Sequence, residues 1–438
     1  MVRRSWPAAV LAIGPAFAVL VAAIGLVGAD SRWLVAAGRH PGVLHLRDSL
    51  AFATAPTADW HNAPVLGELV FRGLFALGGD RGLIAAQVVA AAVAAVALVV
   101  GVRAAGAPAP GALLVTLLVV LGALPAFAVV RNGLFTLAFF PILLLLLERD
   151  AAAPSRRIWV AIPLLALWAN CHGGVLVGYA LLLVYLAIAR RREPMVAIGV
   201  AVAGALAVCA TPELWETPLY YLGVARNEAA RMGEGLWAPL TASTLDIAVV
   251  VCAACLIVLA RRSWRVWEVV AAVGLGAATV QTARLGTWLL FLCAYPAARA
   301  SRLERPAALS PIAPTVIALA AVVLLVRTPA DTGNRVLADR AARTGLPVLA
   351  DVVPAEQVAA SGGKVWVADP IDAFRRGDQR LYLDWLAGRA SGRAAVDHAR
   401  LVLVSRTTSA GRAAARDRRL VPVAADSDGV LYRVRAAR

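Results

Sequence analysis

Apolar runs joined by short basic links fill most of the first 330 residues of this chain. Runs near 7–28, 83–104, 111–129, 133–148, 158–170, 173–189, 195–211, 244–260, 266–282, 286–299 and 310–326 predict helices that cross a bilayer. The most informative stretch runs from Ile158 to Ala189, between Arg156-Arg157 and Arg190-Arg191-Arg192, and is interrupted by Asn170-Cys171-His172-Gly173-Gly174. As one straight helix it would be roughly 48 Å long, against a hydrocarbon core of about 30 Å. It would also put arginine clusters on opposite faces, which the positive-inside bias disfavours. It therefore reads as a hairpin with both clusters inside and the turn from Trp168 to Gly173 facing outward. Polar backbone at that depth needs protein cover or a wet cavity, so a site on the outer side is expected.

With Arg3 and Arg4 placing the N-terminus inside, the inner links carry Arg103, Arg149, Arg156, Arg157, Arg190–Arg192, Arg261, Arg262, Arg265, Arg299, Arg302 and Arg305. Eleven crossings then leave the C-terminus outside. Two outer loops are long, 29–81 and 211–243. Within the first, Pro64 to Leu77 alternates at helical spacing and predicts an amphipathic helix on the membrane surface, with Glu68 and Arg72. After about residue 327, short valine-rich runs such as Lys364 to Asp369 and Leu401 to Ser405 alternate with polar helical stretches such as Asp378 to Leu386. The expected fold is thus an all-α polytopic membrane domain over 1–326, with about eleven transmembrane helices, and a small α/β extracytoplasmic domain over 327–438.

Composition agrees: 61% of residues are hydrophobic. The net charge of +16 does not call for a nucleic acid, because the arginines sit mainly in inter-helix links and the tail; membrane lipid is the nearer partner. Lys364 is the sole lysine, and the wealth of Ala, Val and Arg reads as GC-rich codon usage. The five cysteines fall in or beside apolar runs, so no disulfide framework is indicated, and Cys252 and Cys255 read as core residues. Met1 to Ala29 reads as a signal anchor. Walker, kinase, hydrolase and zinc-ligand spacings are all missing, so soluble nucleotide chemistry has no home here.

Candidate chemistry gathers on the outer side. Asp30 follows the first run at once, where partial desolvation would make its carboxylate more basic and suit it to take a proton from a sugar or lipid hydroxyl. Asp48 is a second carboxylate for the same site. Trp60-His61-Asn62 precedes the helix that carries Glu68, and Trp60 is either an interfacial anchor or a sugar platform. Asn170 and His172 offer donors and acceptors at the hairpin turn, or simply satisfy it. Arg131 and Arg284 stand at outer span ends against the charge bias, so each needs an anion, either a carboxylate of the chain or a lipid phosphate. Glu234 closes the second outer loop. The motif Asp369-Pro370-Ile371-Asp372-Ala373-Phe374, with Asp378, Gln379 and Tyr382, is acidic and aromatic but reads as local structure.

Taken in order, Asp30-Ser31-Arg32-Trp33-Leu34, Arg47-Asp48-Ser49, Trp60-His61-Asn62, Glu68, Leu77-Gly78-Gly79-Asp80-Arg81, Arg131-Asn132-Gly133, Trp168 to Gly174, Glu234 with Trp237, and Arg284 form a pattern. It resembles bacterial integral-membrane glycosyltransferases of the GT-C class, especially RgtA/B/C/D-like and mannosyltransferase-like members, over most of residues 1–300. Where members often show Arg-Pro-Gln, this chain has Arg131-Asn132-Gly133. The resemblance implies a polyprenyl-phosphate sugar donor, an envelope glycan, lipid or protein acceptor, and one inverting displacement through an oxocarbenium-like transition state. It implies Asp30 as base with Asp48 as alternate, Arg131 or Arg284 on the leaving phosphate, and His172, Asn170 and Trp60 positioning sugar or acceptor. No cofactor is required; a divalent metal would find ligands if Asp30, Asp48 and Glu234 converged. A transporter or flippase of a lipid-linked or polar solute, and a non-catalytic envelope-assembly scaffold, are the competing expectations. The lack of a visible internal repeat weighs against the former.

Overall fold

A computed structural model describes residues 21, 24–39, 50–57, 60, 62–302 and 335–435. The described apolar runs fold as helices, two of them across an internal proline, Pro141 and Pro296: Val65–Ala104, Ala109–Gly122, Leu134–Ala152, Ala161–Ala169, Val175–Ala189, Pro194–Val208, Thr244–Ala260, Val266–Gln281 and Gly286–Ala300. The hairpin is present, its second arm packed so closely that a Cβ on Gly178 would lie 2.4 Å from the Trp168 ring. The expected surface helix and the run after it form two arms of Val65–Ala104, broken at Gly78 and at Gly79, whose φ of 55° favours glycine. The run expected over 111–129 stops at Gly122. A short turn, Leu124–Ala128, then leads into β2, Val129–Val130, and the Gln87 amide donates to the carbonyls of Ala126 and Phe127 at that bend. The end of the first run is likewise extended, as β1, Leu26–Val27.

The count of eleven crossings is not supported. Among the described residues only Val65–Ala104 is long and apolar enough to cross a membrane by length and composition. Ala109–Gly122, Val175–Ala189, Pro194–Val208, Thr244–Ala260 and Val266–Gln281 are apolar but shorter, and at about 1.5 Å per residue they fall below the roughly 30 Å core. The runs expected at 310–326 and over most of 7–28 lie outside the described residues. The helices are apolar on their outward faces too: Val89, Val96, Leu121, Ile198, Leu206, Val258 and Val273 are all exposed. At the end opposite the long loops, buried ion pairs staple the helices together: Arg190 with Asp150, Arg299 with Glu268, and Arg299 and Arg265 with Glu148.

The C-terminal unit is a small α/β domain. Its mixed sheet runs β4-β3-β5-β7-β6, where β3 is Pro347–Ala350, β4 Lys364–Val365, β5 Leu401–Ser405, β6 Leu420–Ala425 and β7 Gly429–Val434. β3 lies parallel to both β4 and β5, while β7 runs antiparallel to β5 and β6. The unit does not stand apart from the helical body. The first long loop adds a short segment to the β4 edge: Thr54 N donates to Val365 O (2.8 Å), Ala55 N to Trp366 O (3.1 Å), and Val365 N to Phe52 O (2.8 Å). From the second loop, Tyr220 donates to Asp372, Glu228 meets Gln379 and Arg380, and Glu234 pairs with Arg389. One apolar core therefore runs from Trp33, Phe52, Trp60 and Phe135 through to Val348, Val365 and Trp366.

Candidate functional site

Strand pairing sets the site. β1 and β2 lie parallel with Leu26 opposite Val129 and Val27 opposite Val130, so the residues that follow each strand meet. A Cβ on Gly28 would come within 2.5 Å of a Val129 methyl, which requires glycine there. Asp30 then takes a left-handed φ of 66°, a conformation short polar side chains tolerate, and its carbonyl accepts from Asn132 N at 3.1 Å. This places Arg131 beside Asp30. Arg284, on the turn between Val266–Gln281 and Gly286–Ala300, acts on the same carboxylate through its charge, without an ion pair; its guanidinium lies over the Trp237 ring, 4.1 Å from the centroid.

After Asp30 the chain enters a helix, Arg32–Arg39, too short for its pattern to stand out in the sequence. Arg32 forks onto Asp80 (Nε 3.2 Å, Nη2 2.9 Å), just past the glycine break. The open N–H groups at this helix start are taken by Glu356, a wholly buried residue on Val352–Ala360 of the C-terminal unit. Its Oε1 accepts from Asp30 N at 2.7 Å, and its Oε2 from Ser31 N at 3.2 Å and Arg32 N at 2.9 Å. Asp369, just beyond β4, completes the group: Asp30, Glu356 and Asp369 each offer an oxygen within 4.8 Å of the others.

Charge in this site, where Glu356 is buried and Asp30, Asp369 and Arg131 are half-buried, is unevenly distributed. Burial raises Asp30, and the fields of Arg131 and Arg284 oppose that rise. Burial and the charge on Asp30 push Glu356 up to about 7, while the amides it accepts pull it down. Asp369 lies well above its ordinary range, raised by burial, then by Asp30 and Glu356, with which it shares a hydrogen bond. Each carboxylate thus opposes the ionisation of its neighbours, and the two arginines favour the charge on Asp30. Burial lowers both arginines and Asp30 raises them, as expected of cations held for an anion.

The other expected residues divide. His172 is buried; burial and then Arg284 push it down to about 3, so it is neutral. Its Nδ1 accepts from Gly174 N (3.0 Å) and meets Thr136 Oγ1 (2.6 Å), which in turn accepts from Trp168 Nε1 (2.9 Å). Asn170 spends its amide on the carbonyls of Ala166 and Ala210. Trp60 is 4% exposed, packs edge-on to Trp33 and donates to Tyr220, which donates on to Asp372. Burial pushes Asp372 up to about 6. Glu68 is buried against Asn62, away from the three carboxylates.

Glu234 pairs with Arg389 at 2.8 Å and helps dock the C-terminal unit, and among the described residues the carboxylates gathered with Asp30 are Glu356 and Asp369. Asp48 and His61 lie outside the described residues. All five cysteines are unpaired. Glu356 was legible only as an acid in an otherwise apolar helix, Val-Val-Pro-Ala-Glu-Gln-Val-Ala-Ala. Asp369 lies in the motif read as local structure. The pocket can thus hold an anion between two arginines and accept a proton on Asp30. No protein-family model, curated protein or solved structure matches this chain.

Proposed function

We propose that the protein is a multi-pass glycosyltransferase of the plasma membrane. In this reading it moves a sugar from a polyprenyl-phosphate donor to a hydroxyl of an envelope glycan, lipid or protein on the outer face. The observation that carries this is that Asp30 lies in the field of Arg131 and Arg284 and is held by Asn132 and Glu356, where the first long loop and the C-terminal unit meet. Outward apolar side chains on the short helices support the membrane setting, and the loop end is then the outer face. This end carries the hairpin turn, both long loops and the C-terminal unit, while the arginine-rich links lie at the other.

The acceptor hydroxyl attacks the anomeric carbon from the face opposite the phosphate, and Asp30 takes its proton as the new C–O bond forms. The anomeric C–O bond to phosphate breaks with its electron pair, releasing polyprenyl phosphate, and configuration inverts. The leaving group gains negative charge, which Arg131 and Arg284 are placed to hold through charge-assisted hydrogen bonds. Asp30, Glu356 and Asp369 also form the hard-oxygen set a divalent cation takes.

The test is transfer from radiolabelled polyprenyl-phosphate sugars to endogenous membrane acceptors, by wild type and by Asp30→Asn. Loss of at least 100-fold is expected, a general base contributing about 10²–10⁴. An Asp30→Asn protein that keeps full activity would sink the assignment. Dialysis against a chelator decides the cation: activity lost and restored by Mg²⁺ or Mn²⁺ requires it, and unchanged activity removes it from the mechanism.

A further inference from the structure

We infer that Glu356 is a positioning residue for Asp30, and that the C-terminal unit is therefore an integral part of the site. The inference rests on the reading of Asp30 as the base. The three consecutive amides that fix the path of the chain at Asp30, its own and those of Ser31 and Arg32, all donate to one carboxylate more than 320 residues away. Asp30 holds a left-handed φ, which persists only when its surroundings over-determine it. Two of the constraints lie within the helical body, Asn132 N on the Asp30 carbonyl and Ser31 Oγ on Gly28 O. Only Glu356 takes the amides. A cap on the helix Arg32–Arg39 would ordinarily come from a residue just before it. Here Ser31, the residue just before it, spends its hydroxyl on the Gly28 carbonyl, and a residue of another unit accepts from the amides at the helix start.

Docking of the C-terminal unit does not depend on this contact alone. The β4 edge pairing with Phe52–Ala55 and the Tyr220–Asp372 bond lie elsewhere on the interface. Loss of Glu356 should free the amides of 30–32 while the unit stays in place. Glutamine in its position presents one carbonyl and one NH₂ group to three donors, so at least one of the three bonds is lost and an NH₂ is set against an N–H.

The experiment compares full-length wild type, Asp30→Asn, Glu356→Gln, Glu356→Asp and Lys364→Met in lipid discs. Hydrogen exchange is followed on peptides covering 28–35, 50–57 and 362–368, and transfer from radiolabelled polyprenyl-phosphate sugars is followed as kcat and KM. In Glu356→Gln the 28–35 amides should exchange faster while 50–57 and 362–368 keep their protection. Its kcat should fall on the order of 100-fold, as for a misplaced catalytic group, with KM within about twofold. Glu356→Asp, which keeps the charge one methylene short, should fall between. Lys364→Met loses only the bond from Lys364 to the Ala51 carbonyl, and should match wild type throughout. Unchanged exchange at 28–35, or transfer by Glu356→Gln within about twofold of wild type beside an inactive Asp30→Asn, overturns the positioning role alone. Deprotection of all three peptides in Glu356→Gln also overturns it, because the residue then holds the unit and not the loop. An active Asp30→Asn removes the base, and the inference with it.

Discussion

Replacing Glu68 with glutamine should make the protein markedly more stable at pH 9 and somewhat less stable, by up to about 2 kcal/mol, at pH 5. Glu68 is wholly buried on the arm Val65–Leu77, before the glycine break and outside the crossing part of that helix. Asn62 Nδ2 donates to Oε2 at 3.0 Å, and Oε1 has no partner. Burial pushes the carboxyl up to about 8, Asn62 opposing, from the ordinary 4.5 it regains on unfolding. Because the folded value is the higher, its contribution is complete below about pH 4.5 and is lost as pH rises through 8. At about 1.4 kcal/mol per tenfold in proton affinity, the loss reaches an upper limit of about 5 kcal/mol. Glutamine never ionises and escapes it, but must bury an NH₂ where the acid had a proton, at about 1–3 kcal/mol. The net gain expected at pH 9 is about 2–4 kcal/mol. Thermal unfolding of both proteins in one detergent, from pH 5 to 9, reads this as curves that diverge with rising pH. Parallel curves would mean that Glu68 ionises as easily folded as unfolded, and would refute the dryness of the pocket wall.

Two further substitutions probe the packing that holds the site. A Cβ on Gly38 would lie 2.6 Å from the Glu68 carbonyl and 3.1 Å from the Arg72 Cβ, whereas one on Gly73 meets nothing within 4 Å. Gly38→Ala should therefore cost about 1–3 kcal/mol, and Gly73→Ala should be neutral or stabilising by up to about 1 kcal/mol; equal melting temperatures for the two would contradict the docking of Arg32–Arg39 on the arm. At the opposite end, Asp150 accepts from Arg190, Tyr185 and Ser155. Asp150→Asn strands a buried arginine and should cost about 3–5 kcal/mol. Glu193→Gln removes its half-exposed partner and should cost less than about 1 kcal/mol, a contrast that thermal unfolding of the two variants will show or deny.

The long glycine-broken helix, the hairpin around Asn170 to Gly174 and the α/β character of the last hundred residues were legible in the sequence, because each is set by neighbours a few positions apart. Periodicity, a run of small residues or a valine-rich stretch announces itself locally. The number of crossings was not legible, since hydropathy does not show where Gly122 ends a helix or where Leu26–Val27 and Val129–Val130 turn extended to pair. The sequence marked Asp30, Arg131 and Arg284 as charges in unusual places, but not that the three would meet. It singled out neither Glu356 nor the Arg389 partner of Glu234, because no local rule tells which distant partner a carboxylate will find. Those meetings were decided only by the tertiary structure: a two-residue parallel pair brings Arg131 to Asp30, and an apolar core shared with the C-terminal unit brings Glu356 across 326 residues of chain. Burial of that core draws the polar groups in, and once they are out of water each must find a partner wherever the fold has placed one.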